Sequence, residues 1–190
     1  MNSERPIRGK RLFVAVPVPE YVKEALSGLQ ERRRKGFHWV APERFHLTLR
    51  FIGDLPGQLQ EDIEKVLAEV RVAPFILPLE GVGRFPPKGP PHAVWAGVGG
   101  GHPLLFQLKK KIEDGLFQLG IEPEKRVYQP HLTVARVNHA AEETVRQFLK
   151  ENQDFAATPF KVESFCLYQS DRSSGELQHI VERCFPLVLE

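Results

Sequence analysis

The chain has 190 residues, 42% of them apolar and 26% charged, with a formal net charge of +2. These values belong to an ordinary soluble globular protein with a core that needs no staples, built as one domain or as two small lobes sharing a site. A net charge of +2 does not by itself predict a nucleic-acid binder. The N-terminal apolar stretch, Leu12 to Val18, is too short for a membrane span and is interrupted by Pro17; with no small-residue cleavage pattern ahead of it, a cytoplasmic protein is expected.

In chain order, Arg11 to Val16 predicts a strand, because a β-branched apolar run ends at prolines. Glu20 to Lys35 predicts a helix with Val22, Ala25, Leu26 and Leu29 on one face and Gly36 as its stop. The basic run Arg32 to Lys35 reads as the solvated end of that helix rather than as a phosphate contact. Phe37 to Val40 and Phe45 to Ile52 predict strands, and Leu59, Ile63, Val66, Leu67 and Val70 mark a second amphipathic helix. Phe75 to Phe85 and His92 to Val98 predict strands around the proline-rich loop that begins at Pro86. Pro103 to Leu119 predicts a helix, proline suiting its first turn. An extended segment from Tyr128 to Val137, a helix over Ala141 to Glu151, and two long strands, Phe160 to Tyr168 and Leu177 to Leu189, complete the chain. The polar stretch Ser170 to Gly175 predicts the hairpin turn between the last two.

Cys166 and Cys184 both lie in apolar, strand-like runs and are expected as reduced core thiols. No Cys/His cluster has zinc-finger spacing. Helices mixed with antiparallel strands predict an α+β fold. Each half reads helix, strand, helix, strand, which is a loose duplication of architecture rather than a short-period repeat.

One short word occurs twice, once in each half: Phe45-His46-Leu47-Thr48-Leu49 and Pro130-His131-Leu132-Thr133-Val134. In a strand, residues two apart share a face. Each word therefore presents an imidazole and a hydroxyl on one side, anchored from behind by apolar neighbours. Two such strands brought together suit in-line displacement at phosphorus. A neutral imidazole removes a proton, a protonated one donates to the leaving oxygen, and threonine hydroxyls donate to non-bridging oxygens. Zinc would require a third protein ligand, and no His, Asp or Cys is spaced beside either word to supply one.

These words, with Arg11 to Ala15, Trp39-Val40, Arg50 to Gly53, Gly83 to Pro86, Val94 to Val98, Ala135-Arg136 and Phe165 to Ser170, resemble the 2H phosphoesterase superfamily. Within it, they resemble the bacterial and archaeal RNA 2′,3′-cyclic phosphodiesterases, long called 2′-5′ RNA ligases. The resemblance covers nearly the whole chain. It implies one 2H phosphoesterase domain over residues 1–190, with two lobes of antiparallel sheet, outer helices, a pseudo-twofold relation and one central cleft. It implies hydrolysis of RNA 2′,3′-cyclic phosphate ends to 2′-phosphate, with His46 as proton donor to the departing 3′ oxygen and His131 as proton acceptor. No cofactor or metal is implied. The expected partner is RNA with a cyclic phosphate end, tRNA fragments or cyclic nucleotides included, handled by a monomer away from membranes. Thr48 and Thr133 complete the catalytic set. Arg136, matching the arginine after the second motif, is expected on phosphate or stacked on a base, and Phe45, Phe85 and Tyr128 are candidate stacking residues. His38, His92, His102, His139 and His179 read as surface or packing residues. Two alternatives stay open: 2′-5′ end joining at the same site, and a non-catalytic RNA- or nucleotide-binding module.

Overall fold

The computed structural model describes residues 10–30, 33–56, 59–100, 102–138, 141–173 and 175–189. Its elements run β1 (Lys10–Pro17), α1 (Glu20–Gly28), β2 (Phe37–Trp39), β3 (His46–Leu55), α2 (Gln60–Ala68), β4 (Phe75–Glu80), β5 (Val82–Phe85), β6 (Ala93–Gly97), α3 (Pro103–Gln118), β7 (His131–Val137), α4 (Glu142–Glu151), β8 (Ala156–Val162), β9 (Ser164–Asp171) and β10 (Gln178–Pro186). The strands form a first sheet in the order β10-β9-β1-β3, a second in the order β2-β7-β6-β5, and a two-stranded ribbon β4-β8. Every pairing between these strands is antiparallel, so the fold is α+β with open antiparallel sheets.

The helices bury the residues that their periodicity marks: Val22 and Leu26 in α1, Ile63 and Leu67 in α2, Leu105, Leu108, Ile112 and Leu116 in α3, and Val145 and Phe148 in α4. They cover the faces of the sheets that carry Leu12, Val14, Val16, Leu47, Leu49, Leu132 and Val134, all in one continuous core. The strand after the second helix of each half, β4 and β8, pairs with its counterpart in the other half, which ties the two sheets together. None of the described helices is long and apolar enough to cross a membrane.

Three expectations are corrected. The first helix stops at Gly28, not at Gly36, because the Gln30 side chain donates to the carbonyls of Val40 (2.8 Å) and Val134 (3.1 Å) and turns the chain toward β2. Arg34, from the basic run, pairs with Glu151 and lies over the Phe148 ring; Arg32 and His139 lie outside the described residues. The run Phe75 to Phe85 is two strands in different sheets, parted at Gly81, whose φ of +75° suits glycine. Phe160 to Tyr168 likewise divides at Glu163 into β8 and β9. An apolar run announces a strand but not which sheet it joins.

The cysteines are not reduced thiols. Cys166 and Cys184 are joined by a disulfide, facing each other across the β9-β10 hairpin. They stand equally far on either side of Gly175, a signal that becomes readable once the turn is taken as a hairpin centre. A disulfide closing 18 residues removes loop entropy worth about 3 kcal/mol from the unfolded chain. Cys184→Ser, or reduction, is expected to lower the unfolding free energy by about that amount, measured by denaturant titration with and without reductant. Unchanged midpoints would show that the bridge contributes nothing.

Candidate active site

The two words fold the same way. His46 to Phe51 and His131 to Arg136 have one burial sequence: half-buried, buried, half-buried, buried, buried, exposed. The simple alternation of a strand would send the fifth residue back to the site face. Instead both strands carry a register shift at the same place. Thr48 and Arg50 oppose the neighbouring residues Ala15 and Val14, leaving Leu49 extra, and Thr133 and Ala135 oppose Trp95 and Val94, leaving Val134 extra. A bulge of this kind turns the residues after it over. Arg50 is thereby buried against Glu113 (3.3 Å) and Glu124 (3.9 Å), while Phe51 and Arg136 emerge in its wake. Phe51 packs on Phe13, and Phe13 on His46, so the site face is continuous.

Each imidazole is latched identically. His46 Nδ1 lies 2.7 Å from the carbonyl of Arg44, and His131 Nδ1 lies 2.7 Å from the carbonyl of Gln129. A carbonyl only accepts, so both rings carry a proton on Nδ1 and leave Nε2 for chemistry. The strands bearing them, β3 and β7, are in contact. The latch opposes burial, since it favours the protonated ring, but burial prevails at both. His46 is pulled from 6.5 to about 4, first by desolvation, then by the like charge of His179, with His131 adding a smaller repulsion. Burial also lowers His131, and the nearby Arg136 guanidinium lowers it further.

The surroundings of the two rings differ. His46 meets Phe13 at 4.9 Å, Tyr168 at 6.1 Å and, edge to face, His179 at 4.9 Å. His131 meets Phe85, edge to face, at 4.7 Å and Trp95 at 6.1 Å. Trp95 lies flat over Gly83, where a Cβ would come within 2.1 Å of its ring. Phe85 and Arg136 are thus both gathered at His131. Phe45 is not: it is buried in the core at 4% exposure and offers no face to a base. Tyr128 donates through its hydroxyl to the Thr48 carbonyl at 3.1 Å, while Phe106 and Lys109 flank its ring. It satisfies a carbonyl on the outer edge of β3 and fixes the backbone of the first word.

Of the other histidines, His102 caps α3 by accepting from the Leu104 amide, and His38 bonds Asn138. His179, expected on the surface or in packing, packs against Phe13 and His46. It lies far along the chain from both words, on the strand at the opposite edge of the sheet from β3, and meets His46 only in the tertiary structure.

An open cavity of about 670 Å³ adjoins the His131 side, lined by Trp95, Gln129, Pro130, Glu80, Asp154 and Phe155 among others, though by neither catalytic candidate. Among the described residues, no three His, Cys, Asp or Glu side chains are grouped to hold a metal ion.

Residues 18–174 match the family model described as the 2′-5′ RNA ligase superfamily. A protein of Aeropyrum pernix named RNA 2′,3′-cyclic phosphodiesterase is 37% identical over 132 residues, spanning 69% of this chain and 75% of that one. One of the same name from Methanocaldococcus jannaschii is 29% identical, over 90% of this chain and 98% of its own. Among solved structures, the Thermus thermophilus protein TT0787 superposes with a TM-score of 0.80 at 27% identity, over 95% of this chain and 99% of that one. The apo form of Escherichia coli LigT shares the fold, with a TM-score of 0.76 at 21% identity over 95% and 99%. With a repeated His-Leu-Thr word, matched bulges and a family match over most of its length, the chain belongs to the 2′-5′ RNA ligase superfamily.

Proposed function

We propose that this chain is an RNA 2′,3′-cyclic phosphodiesterase that opens the cyclic phosphate to a 2′-phosphate. The observation that carries the reading is the matched pair of Nδ1 latches on contacting strands, which leaves two Nε2 atoms for one substrate. His131 takes a proton from water as the water oxygen bonds phosphorus. The bond from phosphorus to O3′ breaks, and O3′ takes its proton from His46. Thr48 and Thr133 donate to the non-bridging oxygens, and Arg136 balances the phosphoryl charge. These proton transfers are complete without a metal. Both words belong to one chain, so we read residues 1–190 as a single two-lobed unit that works as a monomer on RNA ends in the cytoplasm. Terminal fragments of tRNA and small cyclic nucleotides are its candidate substrates.

Incubation with a short RNA ending in a 2′,3′-cyclic phosphate, in excess chelator, is expected to give a 2′-phosphate, identified by mass and by phosphatase sensitivity. A 3′-phosphate product would overturn the direction of cleavage, and no product from folded protein would overturn the hydrolase reading. The family description favours one second reading, a 5′-hydroxyl taking the place of water to give a 2′-5′ link. Paired RNA fragments yielding a joined product would establish it.

A further inference from the structure

The His46 side of the site carries groups that the cyclic phosphate itself does not use. His179 stands edge to face with His46 at 4.9 Å and with Phe13 at 5.0 Å. Its Nδ1 is buried with no hydrogen-bond partner among the described residues. A buried lone pair costs less than a buried unpaired donor and proton, so the ring proton belongs on Nε2, which can donate. Arg44, whose carbonyl latches His46, has no ion-pair partner among the described residues, and its charge is felt by His179.

The sheet register extends this cluster. Arg11 opposes Ser170 across β1 and β9, and Ser170 opposes His179 across β9 and β10. Arg11, Ser170 and His179 therefore form one row on the site face. The next row holds Phe13 opposite Tyr168, with rings stacked at 5.1 Å. Asp54 faces Arg11 from β3, at the end of the row away from His179. Cationic groups beside aromatic faces on an open sheet suit a single nucleic-acid strand.

Ribose geometry says which part of the strand would lie there. O3′ neighbours C4′, which leads to the 5′ linkage, whereas O2′ neighbours C1′, which carries the base. The imidazole that protonates O3′ therefore stands on the 5′-linkage side of the terminal sugar. We propose that Arg44 and His179, with Arg11 and Ser170 behind them, bind the phosphodiester that joins the terminal nucleotide to the one before it. This rests on the hydrolase reading with His46 as the acid. It makes the enzyme selective for RNA ends over cyclic mononucleotides, and it puts the terminal base on the Trp95 side.

The test uses the intact chain and three substrates: a 2′,3′-cyclic mononucleotide, a dinucleotide with the same cyclic end, and that dinucleotide with its internal linkage replaced by an uncharged methylphosphonate. Wild-type kcat/KM is expected to be about ten-fold higher for the charged dinucleotide than for either of the others, a typical effect of one charge-assisted contact. Arg44→Ala keeps the carbonyl that latches His46. It is expected to remove most of that preference, chiefly through KM, and to respond little to the methylphosphonate. His179→Gln, which keeps a donor, is expected to retain more of the preference than His179→Phe. Equal turnover of charged and neutral dinucleotides by wild type, or a preference that survives Arg44→Ala, would overturn the subsite while leaving the hydrolase reading intact. No turnover of any of the three would overturn the hydrolase reading itself.

Discussion

His46→Ala and His131→Ala are each expected to lower kcat on a cyclic-phosphate RNA end by about a thousand-fold, within the range of general acid–base contributions. The fold should survive both changes. Among the described residues each ring makes one hydrogen bond, to a backbone carbonyl that stays in place, so stability should move by only about 1 kcal/mol. The two losses should not multiply, because the groups act in one transition state. Assigning the roles needs a substrate that does not need an acid. With sulfur in place of O3′, the leaving group is a thiolate, which departs without protonation near neutrality. That substitution is expected to restore His46→Ala far more than His131→Ala. Restoration of His131→Ala instead would exchange the two roles, and a His46→Ala protein turning over at the wild-type rate would end the two-histidine mechanism.

The pH profile should be displaced toward acid. The donor must be protonated and the acceptor neutral, yet His46 is held near 4 and His131 is also lowered. In the free enzyme, protonated His46 therefore becomes scarcer above pH 4, and kcat/KM is expected to peak below about pH 6.5 and then fall about ten-fold per unit. Bound phosphate, being anionic, raises both histidines, so kcat should persist to higher pH than kcat/KM. His179→Gln removes a like charge from beside His46 and is expected to move the alkaline limb upward. An optimum of kcat/KM above pH 8 in wild type would contradict this. Stability has its own sign. A histidine whose folded pKa is depressed binds fewer protons folded than unfolded, so its contribution is intact above 6.5 and is lost as pH falls toward 4. For His46 that loss is on the order of 3 kcal/mol, measurable as a falling unfolding midpoint between those pH values.

The chemistry-bearing word and the amphipathic helices are legible in local sequence. A period of two residues places His46 with Thr48, and His131 with Thr133, whatever the sheets do around them. Each helix buries its periodic stripe for the same local reason. What depends on register emerges only when the strands are paired. Phe75 to Phe85 and Phe160 to Tyr168 read as continuous because hydrophobicity marks a strand but not its partner. Phe45 reads as available for stacking because it adjoins His46, but it lies in the turn just before β3, and its ring is buried in the core. The bulges at Leu49 and Val134 came from pairing and invert the faces that simple alternation assigns to Phe51 and Arg136. The Cys166–Cys184 bridge arises from hairpin alignment, and the meeting of His179 with His46 from a ring contact between strands at opposite edges of one sheet. Periodicity is a property of one segment, whereas register is an agreement between two, and long-range pairing is not written in either strand alone.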